Sequence, residues 1–275
     1  MNYNTIYQDL KMNVTYFQNR FASDSVELKQ KAAATGRTVA LTEHTEFDWP
    51  EFVNEVLDRS KWRNFTANNA EEYNKAKEQF DAVVFAEMIK DTARSSKNVI
   101  AHYAVVLDID DGITVKEVIA DLCQYEYVLY SSGGNGIKSG ERFRVVLPLA
   151  KTLSANEWSE WSESLKQRFH YSDESFSKSL QIQYLPHLNT VHADKFISHY
   201  NAGRLLDVMV DVEYVEPAAQ YISPLHQVSY EFTDTEHQDL LEAIINHNDG
   251  QLEYEERRIL GNRLAALGVN HYDMV

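Results

Sequence analysis

AHYAVVLDIDDG, residues 101–112, is the stretch that decides the fold. Its apolar run from Ala104 to Ile109 is broken only by Asp108, and a polar turn follows at once. A short apolar run that ends in a turn is typical of a buried strand. Because side chains alternate between the two faces of a strand, Asp108 and Asp110 share one face. We therefore predict a buried strand that carries two carboxylates at its carboxyl end.

The sequence after this strand alternates between helical and extended patterns. TVKEVIADLCQY (114–125) has helical spacing, and its first residues fit a capping box. The strand pattern YEYVLYSS (125–132) leads into the glycine-rich stretch GGNGIKSGE (133–141), and RFRVVLPL (142–149) leaves it as another strand. Ser154 then begins a further helical stretch. This order predicts an α+β fold in which helices cover one face of a sheet.

The sequence before the strand predicts helices. Apolar residues recur at three- and four-residue spacing through residues 1–97, and Asp48 before Trp49 and Pro50 is typical of a helix start. The stretch AEEYNKAKEQFDAVVFAEMIKDTA (70–93) predicts the longest of these helices, and its charged part AEEYNKAKEQ (70–79) is predicted to be a solvated face. We therefore expect a helical lead-in before the sheet.

Three domain divisions follow from these patterns. A catalytic domain over residues 1–215 would combine the helical lead-in (1–97) with a catalytic sheet (98–215). Residues 216–234 contain two prolines and predict a linker. Residues 235–275 are again helical in pattern and predict a small helical domain, cut short where the sequence ends.

Composition limits the classes of function. The chain has 275 residues, of which 44% are hydrophobic and 25% charged, a balance typical of soluble globular proteins. No apolar stretch is long enough to span a membrane, so no membrane partner is expected. The single cysteine excludes an internal disulfide and favours the cytoplasm. The net charge of −16 counts against tight binding of duplex DNA, for which a basic face is usual.

The two carboxylates of the buried strand predict a metal site. Oxygen ligands are those that Mg²⁺ and Mn²⁺ prefer, and two such ions can clamp the attacking and leaving oxygens of a phosphoryl displacement. Asp-x-Asp alone is common where strands simply end. A third ligand is needed to fix the metal geometry, and Asp173 is the candidate, with Glu174 as the fallback. On position alone, a helix-terminal turn is an equally good interpretation of Asp173.

The glycine-rich loop and the next strand predict a phosphate site. Ser131 and Ser132 precede the loop, where small residues let backbone N–H groups approach a phosphate. Arg142 and Arg144 are two residues apart on a strand and share a face, and the planar guanidinium group suits phosphate oxygens. Paired or solvated arginines and a flexible hairpin are the simpler alternative. The two features gain weight because they occur together with the acidic pair.

In this order the motifs resemble the archaeo-eukaryotic primase superfamily, in particular plasmid- and phage-encoded primase–polymerases. The resemblance covers residues 90–210 and rests on the matching pieces RSSKNV (94–99), VVLDIDDG (105–112), VLYSSGGNGIKSGERFRVVLPL (128–149), QYLP (183–186) near Asp173, and NAGRLLDV (201–208). It implies an RRM-like antiparallel or mixed sheet. It also implies that Asp108, Asp110 and Asp173 surround two catalytic Mg²⁺ or Mn²⁺ ions.

The resemblance further implies the substrates and partners. Ser131, Ser132, Lys138, Arg142 and Arg144 would bind the triphosphate of an incoming NTP or dNTP, opposite a single-stranded DNA template. YEERRILGNRLAALG (254–268) is similar to the helical domain that often precedes a helicase, which would lie beyond the C-terminus. The expected setting is the cytoplasm of a bacterial cell or phage-infected host. The family usually carries a histidine after the small-residue motif, where this chain has none and Lys138 lies nearby.

Two other functions stay open at the level of sequence. The missing histidine and the acidic charge favour a catalytically inactive replication-initiator or DNA-binding module. VVLDIDDGIT (105–114) also looks like the opening motif of haloacid-dehalogenase-type phosphatases, in which the first aspartate is a nucleophile. That family expects glycine directly after the second aspartate, but Asp111 intervenes here. A generic phosphate ester would test this activity.

Overall fold

The computed structural model describes residues 9–17, 43–89 and 96–216. All of them belong to one compact unit, Met1–Pro217. Apart from residue 216, the predicted linker (216–234) and the whole predicted helical domain (235–275) lie outside the described residues, so these two predictions stay predictions. No helix in the described ranges is long and apolar enough to cross a membrane.

Eleven strands and five α-helices make up the described part of the chain. The strands are β1 (Lys11–Phe17), β2 (Glu43–Asp48), β3 (Arg63–Phe65), β4 (Ala82–Val84), β5 (Ala86–Met88), β6 (Val99–Ile109), β7 (Tyr127–Ser131), β8 (Phe143–Ser154), β9 (Gln183–Tyr184), β10 (His187–Asn189) and β11 (Ser198–Asn201). The helices are α1 (Trp49–Leu57), α2 (Ala70–Lys77), α3 (Val115–Asp121), α4 (Ala155–Arg168) and α5 (Val208–Asp211).

These strands form three sheets. The central sheet has five strands in the order β11-β7-β8-β6-β5, and all of its neighbours are antiparallel. A second sheet, also antiparallel, has the order β2-β1-β4-β9. The short strands β3 and β10 pair in parallel. The predicted α+β class, with a sheet built around the 101–112 strand, is confirmed.

The central sheet is covered on both faces, not on one as predicted. One face packs against α3 and α4, and this core includes Leu107, Phe143 and Leu165. The other face packs against α1 and β1, and this second core includes Val106 and Val146. The alternation of β6 explains the division, because its successive side chains point to opposite faces. Apolar residues on both faces of a strand require a cover on each.

Helix starts were predicted well. Asp48 caps α1, with its side chain accepting from the amide of Glu51, and Pro50 lies in the first turn. The capping box at the start of α3 is present, and Ser154 forms a second one at the start of α4. Each of these caps satisfies amide groups that the helix itself leaves without partners. These caps can be predicted from the sequence because the capping side chain and the amide that it binds lie within a few residues of each other.

The predicted helical lead-in (1–97) is wrong for the described residues. Five of the eleven strands lie there, and only α1 and α2 are helical. The longest predicted helix, from residue 70, ends at Lys77 and is followed by β4 and β5. Ala82, Val83 and Val84 are all buried, and β4 lies between β1 and β9 in the second sheet. An apolar run buried on both sides resembles a buried helix in periodicity, and tertiary burial decides between them.

The sequence SLQIQYLPHLN (179–189) predicts one strand that ends at Pro186, and the structure has β9 before the proline and a further strand, β10, after it. β9 pairs with β4 in the second sheet, whereas β10 pairs with β3. Proline has no amide hydrogen to donate to a ladder, so Pro186 separates the two pairings. The stretch KFISHYNAGRLLDVMV (195–210), which predicts a strand or turn, contains β11 and most of α5.

A buried carboxylate joins three elements around the central sheet. The side chain of Glu126 is fully buried and accepts hydrogen bonds from Trp49 Nε1 (2.9 Å), Tyr200 Oη (2.6 Å) and the amide of Gly203 (3.0 Å). Gly203 has no room for a side chain, since a Cβ atom there would lie 2.5 Å from the carbonyl carbon of Tyr125. Because its acceptors are occupied, Glu126 is a structural group that ties α1 and β11 to β7.

Two buried histidines make stability depend on pH. His102 stacks on Trp158 and His187 stacks on Phe80, with ring centroids 4.0 and 3.9 Å apart. Burial lowers the pKa of each histidine to about 4. In the unfolded chain the pKa of a histidine is about 6.5, so between pH 6.5 and 4 the unfolded state binds more protons than the folded state, and lowering the pH favours unfolding.

We therefore expect the protein to lose stability as the pH falls from 7 to 5. The loss is about 2 kcal/mol per histidine at pH 5, at 1.36 kcal/mol per pKa unit. Urea unfolding at the two pH values measures it. His102→Gln should lower stability at pH 7 and reduce the difference between pH 7 and pH 5. An undiminished difference in that variant would show that His102 is not one of the titrating groups.

Candidate active site

The ends of β6 and β8 bring the two predicted carboxylates opposite the two predicted arginines. In the antiparallel register Asp108 lies directly opposite Arg144. Arg144 Nη2 lies 3.3 Å from the Asp108 carboxylate, and Arg142 Nη1 lies 2.6 Å from Asp110 Oδ1. Residues opposite each other in a sheet share a face, so Asp108 and Arg144 both lie on the α1-covered side of the central sheet, and Asp110 and Arg142 form the next pair just beyond the two strand ends. They form one group of two acids and two bases.

Arg144 is the buried member of this group. The residue is only 5% exposed, and its Nε donates to Gln183 Oε1 at 2.9 Å. Its guanidinium carbon lies 5.8 Å from the centroid of the Tyr184 ring. Burial alone would lower the pKa of Arg144, but the charge and hydrogen bond of Asp108, together with the nearby hydroxyls of Tyr130 and Tyr73, outweigh burial and the pKa is raised. Arg144 therefore stays charged, and Asp108 is the anion that compensates it.

Asp110 and Arg142 are the more open pair. The Asp110 side chain is 54% exposed, whereas that of Arg142 is 13% exposed. Arg142 also donates from Nε to the carbonyl oxygen of Ser139, at 3.2 Å. Water reaches this pair through the exposed Asp110 side chain, so the pair contributes little to stability, about 0–1 kcal/mol. Asp110 could therefore exchange Arg142 for another cation at small cost, whereas the mostly buried Arg142 is also held by Ser139.

Asp108 has an oxygen suited to a cation. Both of its carboxylate oxygens are near Arg144, but only Oδ2 accepts a hydrogen bond from it. Oδ1 is buried and has no hydrogen-bond partner. A buried acceptor without a partner is costly, and a bound cation would satisfy it. Asp108 Oδ1, which lies 3.3 Å from Arg144 Nη2 but accepts no hydrogen bond, is therefore the oxygen of this group that could serve as a ligand of a cation.

Asp173 is close to Asp108 through its main chain. Its amide donates to the carbonyl oxygen of Asp108 at 2.9 Å, but its carboxylate accepts from the amide of Ser175 at 2.8 Å. Hydrogen bonding to the side chain and the amide of Ser175 lowers the pKa of Asp173, and the amide bond caps the 3₁₀ turn Glu174–Ser177. Within the described ranges no three His, Cys, Asp or Glu side chains are placed to hold a metal ion. The role of Asp173 as the third ligand therefore stays a prediction.

The glycine-rich loop is packed rather than open. Ser131, Ser132 and Asn135 are buried. Ser131 Oγ accepts from the amide of Ile197 at 2.9 Å, and the Asn135 side chain accepts from the amide of Arg142 and donates to the carbonyl of Lys195. These bonds use the side chains within the fold, so the roles predicted for Ser131 and Ser132 in binding triphosphate stay predictions.

Glycine is required in this loop by its neighbours. A Cβ atom at Gly133 would lie 3.0 Å from the rings of Tyr73 and Phe80. The loop therefore rests directly on α2 and on the turn that follows it. The close approach of backbone to an aromatic side chain explains Gly133 without a phosphate.

A cavity of about 200 Å³ lies beside the loop. Ser131, Arg142, Lys195 and Glu141 are among its lining residues, whereas none of the three predicted carboxylates is. In the register of β7 and β8, Ser131 lies opposite Phe143 and Tyr130 lies opposite Arg144. Successive residues alternate faces, so Ser131 belongs to the face opposite that of Arg144. The structure brings the acids and arginines together and places Ser131 on another side of the strands.

Sequence reasoning missed the residues that α2 and β9 contribute. Tyr73, in the stretch interpreted as a solvated helix face, is buried, and Asp108, Asp110 and Arg144 all act electrostatically on its hydroxyl. Burial, the largest effect, raises the pKa of Tyr73 to about 12. Lys138, predicted from the loop, is exposed, with its Nζ 5.6 Å from the Tyr73 ring centroid. Nothing in the local sequence distinguishes a tyrosine that packs beside the site from one on the exposed face of a charged helix, so this position could not be predicted.

Comparisons with known proteins find little. No family model and no curated protein matches the chain. Among solved structures, the chain is similar to the archaeo-eukaryotic primase domain of the primase-polymerase of cyanophage S-2L, with a TM-score of 0.36 and 10% sequence identity. The match covers 72% of this chain and 84% of that domain. A similarity of this size establishes neither a shared fold nor a shared activity.

Proposed function

We propose that this protein is a DNA primase- or polymerase-type nucleotidyltransferase that works with Mg²⁺ or Mn²⁺. The supporting observation is the group at the ends of β6 and β8, where Asp108 and Asp110 face Arg144 and Arg142. Carboxylates and arginines at one place on a sheet can hold a cation and a phosphate side by side. Nucleotidyl transfer requires this combination.

The chain's own residues would act on the phosphates. Arg142, now paired with Asp110 and bonded to Ser139, would turn to a phosphate oxygen once Asp110 binds a cation, and it would stabilise the charge that builds up during transfer. Arg144 is held by Gln183 and Asp108, so it supplies a fixed positive charge beneath the site. In the proposed reaction a 3′ hydroxyl attacks the α-phosphate, the new phosphodiester bond forms, and pyrophosphate leaves. The metal ions, bound to Asp108 and Asp110, would neutralise charge on the attacking and leaving oxygens.

The substrates and setting are part of the same proposal. An NTP or dNTP would be the donor and single-stranded DNA the template, in a plasmid or phage replication protein acting in a bacterial cytoplasm. Asp173 would join the metal site as its third ligand, and Ser131, Ser132 and Lys138 would contribute to triphosphate binding. A helicase would be the protein partner.

Incorporation of labelled nucleotides into primed and unprimed single-stranded DNA tests the proposal. We expect incorporation that requires Mg²⁺ or Mn²⁺, stops on addition of a chelator and returns when the cation is restored. A parallel reaction with a generic phosphate ester should release no phosphate, which would exclude the phosphatase. The proposal is wrong if neither cation supports incorporation of either nucleotide type.

An inactive replication-initiator or DNA-binding module is the second candidate. It is favoured by the absence of a three-ligand cluster in the described residues and by the capping role of the Asp173 side chain. Such a module would bind DNA without incorporating nucleotides. Calorimetric titration with a triphosphate and Mn²⁺ separates the two functions, since only the enzyme requires a metal-dependent affinity for the triphosphate.

A further inference from the structure

The aromatic ring of Tyr73, on α2, is held between two other rings and the glycine-rich loop. The ring centroids of Phe65 and Phe80 lie 6.1 and 6.2 Å from its own. A Cβ atom at Gly133 would lie 3.0 Å from Tyr73 Cε2, and one at Gly134 would lie 3.5 Å from Tyr73 Cε1. The residue is only 4% exposed. Because the phenol oxygen lies on the axis of the ring, close packing of the ring also fixes the hydroxyl oxygen.

The hydroxyl end of this ring lies beside Arg142. The position of a Cβ atom at Gly134 is 3.6 Å from Tyr73 Cζ, the carbon that carries the hydroxyl, and 3.6 Å from Arg142 Cδ. Both side chains therefore reach the same point next to the loop, and Arg142 Nη1 lies 2.6 Å from Asp110 Oδ1. The charges of Asp108 and Asp110 also act on the Tyr73 hydroxyl. The hydroxyl thus lies at the edge of the acid–arginine group.

The Tyr73 hydroxyl makes no hydrogen bond within residues 9–17, 43–89 and 96–216. The enclosed side-chain atoms that lack a partner in these ranges include Tyr127 Oη but not Tyr73 Oη, so the Tyr73 oxygen reaches solvent. Tyr130, by contrast, donates its hydroxyl to the carbonyl oxygen of Tyr184 at 3.0 Å. A buried tyrosine usually has such a partner. Tyr73 is packed along its ring and leaves its hydroxyl open at the site.

This hydroxyl is a neutral donor at physiological pH. Burial, the largest effect, raises the pKa of Tyr73 to about 12, so the phenol keeps its proton and does not act as a base. A donor of this kind forms its strongest hydrogen bonds with charged acceptors. The acceptor must come from a bound molecule, since none of the described residues supplies one. An anionic oxygen next to Arg142 meets both conditions.

We propose that the Tyr73 hydroxyl and the Arg142 guanidinium group donate to the same phosphate group of the incoming triphosphate, which makes Tyr73 a substrate-binding residue. The inference rests on the proposed function, which supplies the triphosphate. Magnesium sites combine one or two carboxylates with phosphates of the substrate, so the phosphate beside Asp110 is that of the nucleotide. Tyr73 lies outside residues 90–210, so the family resemblance assigns it no role. Its packed ring holds the donor in place before the substrate arrives.

Tyr73→Phe tests this role, because it removes the hydroxyl and keeps the ring. We expect it to weaken binding of a non-hydrolysable deoxynucleoside triphosphate with Mn²⁺, measured by calorimetry, about tenfold to a hundredfold. Binding of a labelled oligothymidine, followed by fluorescence anisotropy, should stay unchanged. Tyr103→Phe is the matched control, since its hydroxyl donates to Glu87 Oε2 at 3.0 Å. The control should keep triphosphate affinity within about twofold, because that bond lies within the fold.

Melting temperatures give a second measurement that is independent of substrate. Tyr73→Phe should melt no lower than the wild-type protein, because the fold loses no hydrogen bond. Tyr103→Phe should melt lower, since it loses its bonds with Glu87 and Asn13. A lower melting temperature of Tyr73→Phe would show that its hydroxyl bonds within the fold, and the proposal would be wrong.

A double variant tests whether the two donors share one phosphate. Residues that bind the same group are coupled, so the loss of triphosphate affinity in Tyr73→Phe with Arg142→Met should differ from the product of the two single losses by more than about twofold. A loss equal to that product would reject the shared phosphate.

The role of Tyr73 is rejected if Tyr73→Phe binds the triphosphate as tightly as the wild-type protein, or if it weakens binding of the strand instead. It is also rejected if the wild-type protein binds no triphosphate. The proposed function fails separately, by lack of incorporation in the wild-type protein. Triphosphate binding that depends on Tyr73 without incorporation would support the binding role and contradict the proposed reaction.

Discussion

Asp110→Asn is expected to abolish nucleotide incorporation and to leave the stability of the protein unchanged. Asparagine keeps the shape of the side chain but removes the charge that a divalent cation requires. The ion pair with Arg142 is lost, but an exposed pair is worth about 0–1 kcal/mol. Loss of one charge-stabilising group of an active site costs about a hundred- to a thousandfold in rate. The measurement is the initial rate of incorporation together with the free energy of unfolding in urea.

Asp111→Asn is the matched control for this variant. Asp111 is the next residue, is exposed and carries the same charge, but the ion pairs of Arg142 and Arg144 are made with Asp110 and Asp108. We expect the control to retain incorporation within about twofold, since a single surface charge contributes little. Equal rates in Asp110→Asn and the wild-type protein would remove Asp110 from the site. Equal losses in both variants would indicate a general effect of net charge.

Asp108→Asn is expected to unfold the protein more easily as well as to inactivate it. Arg144 would keep its charge in a buried position with no anion to compensate it. Breaking a buried ion pair by removing one partner costs about 3–5 kcal/mol, and the lower end applies here because Asp108 is partly exposed. Urea unfolding of the variant and the wild-type protein measures the loss.

A double variant separates the stability of this pair from its chemistry. Asp108→Asn combined with Arg144→Met removes the buried charge, and it should recover most of the lost stability, since apolar replacements of buried pairs are often neutral. It should remain inactive, because both charges of the site are gone. Asp121→Asn, which breaks the exposed Arg168–Asp121 pair, is the control and should cost less than about 1 kcal/mol. A stable single variant would contradict the buried-pair interpretation.

The contacts of Asp108 are compatible with two interpretations of the Asp108–Arg144 pair, a catalytic site and a structural ion pair. Asp108 has one oxygen engaged by Arg144 and one oxygen with no hydrogen-bond partner. Both oxygens lie 3.3 Å from Arg144 Nη2 and compensate its charge, but the one without a hydrogen bond could also take a cation as ligand. The variants above, together with metal-dependent triphosphate binding, therefore distinguish a catalytic site from an ion pair kept for the fold.

Local patterns in the sequence predicted the features whose partners are close along the chain. Alternation along a strand placed Asp108 with Asp110 and Arg142 with Arg144, and the structure has each pair on one face. Capping residues marked the starts of α1, α3 and α4 for the same reason. For Asp173, the sequence predicted a turn, but it did not predict that the carboxylate accepts a hydrogen bond from the amide of Ser175.

Contacts between residues that are distant in the sequence depend on the tertiary structure alone. The register of β6 against β8 brings Asp108 to Arg144, and packing of α2 under the loop brings Tyr73 to them. The residues after Lys77, where the sequence predicted a continued helix, instead form β4, which is buried between β1 and β9. By itself the sequence determined which side chains share a face, since that depends on backbone geometry over a few residues. Which faces meet depends on how whole elements bury their apolar surfaces, and no local pattern contains that information.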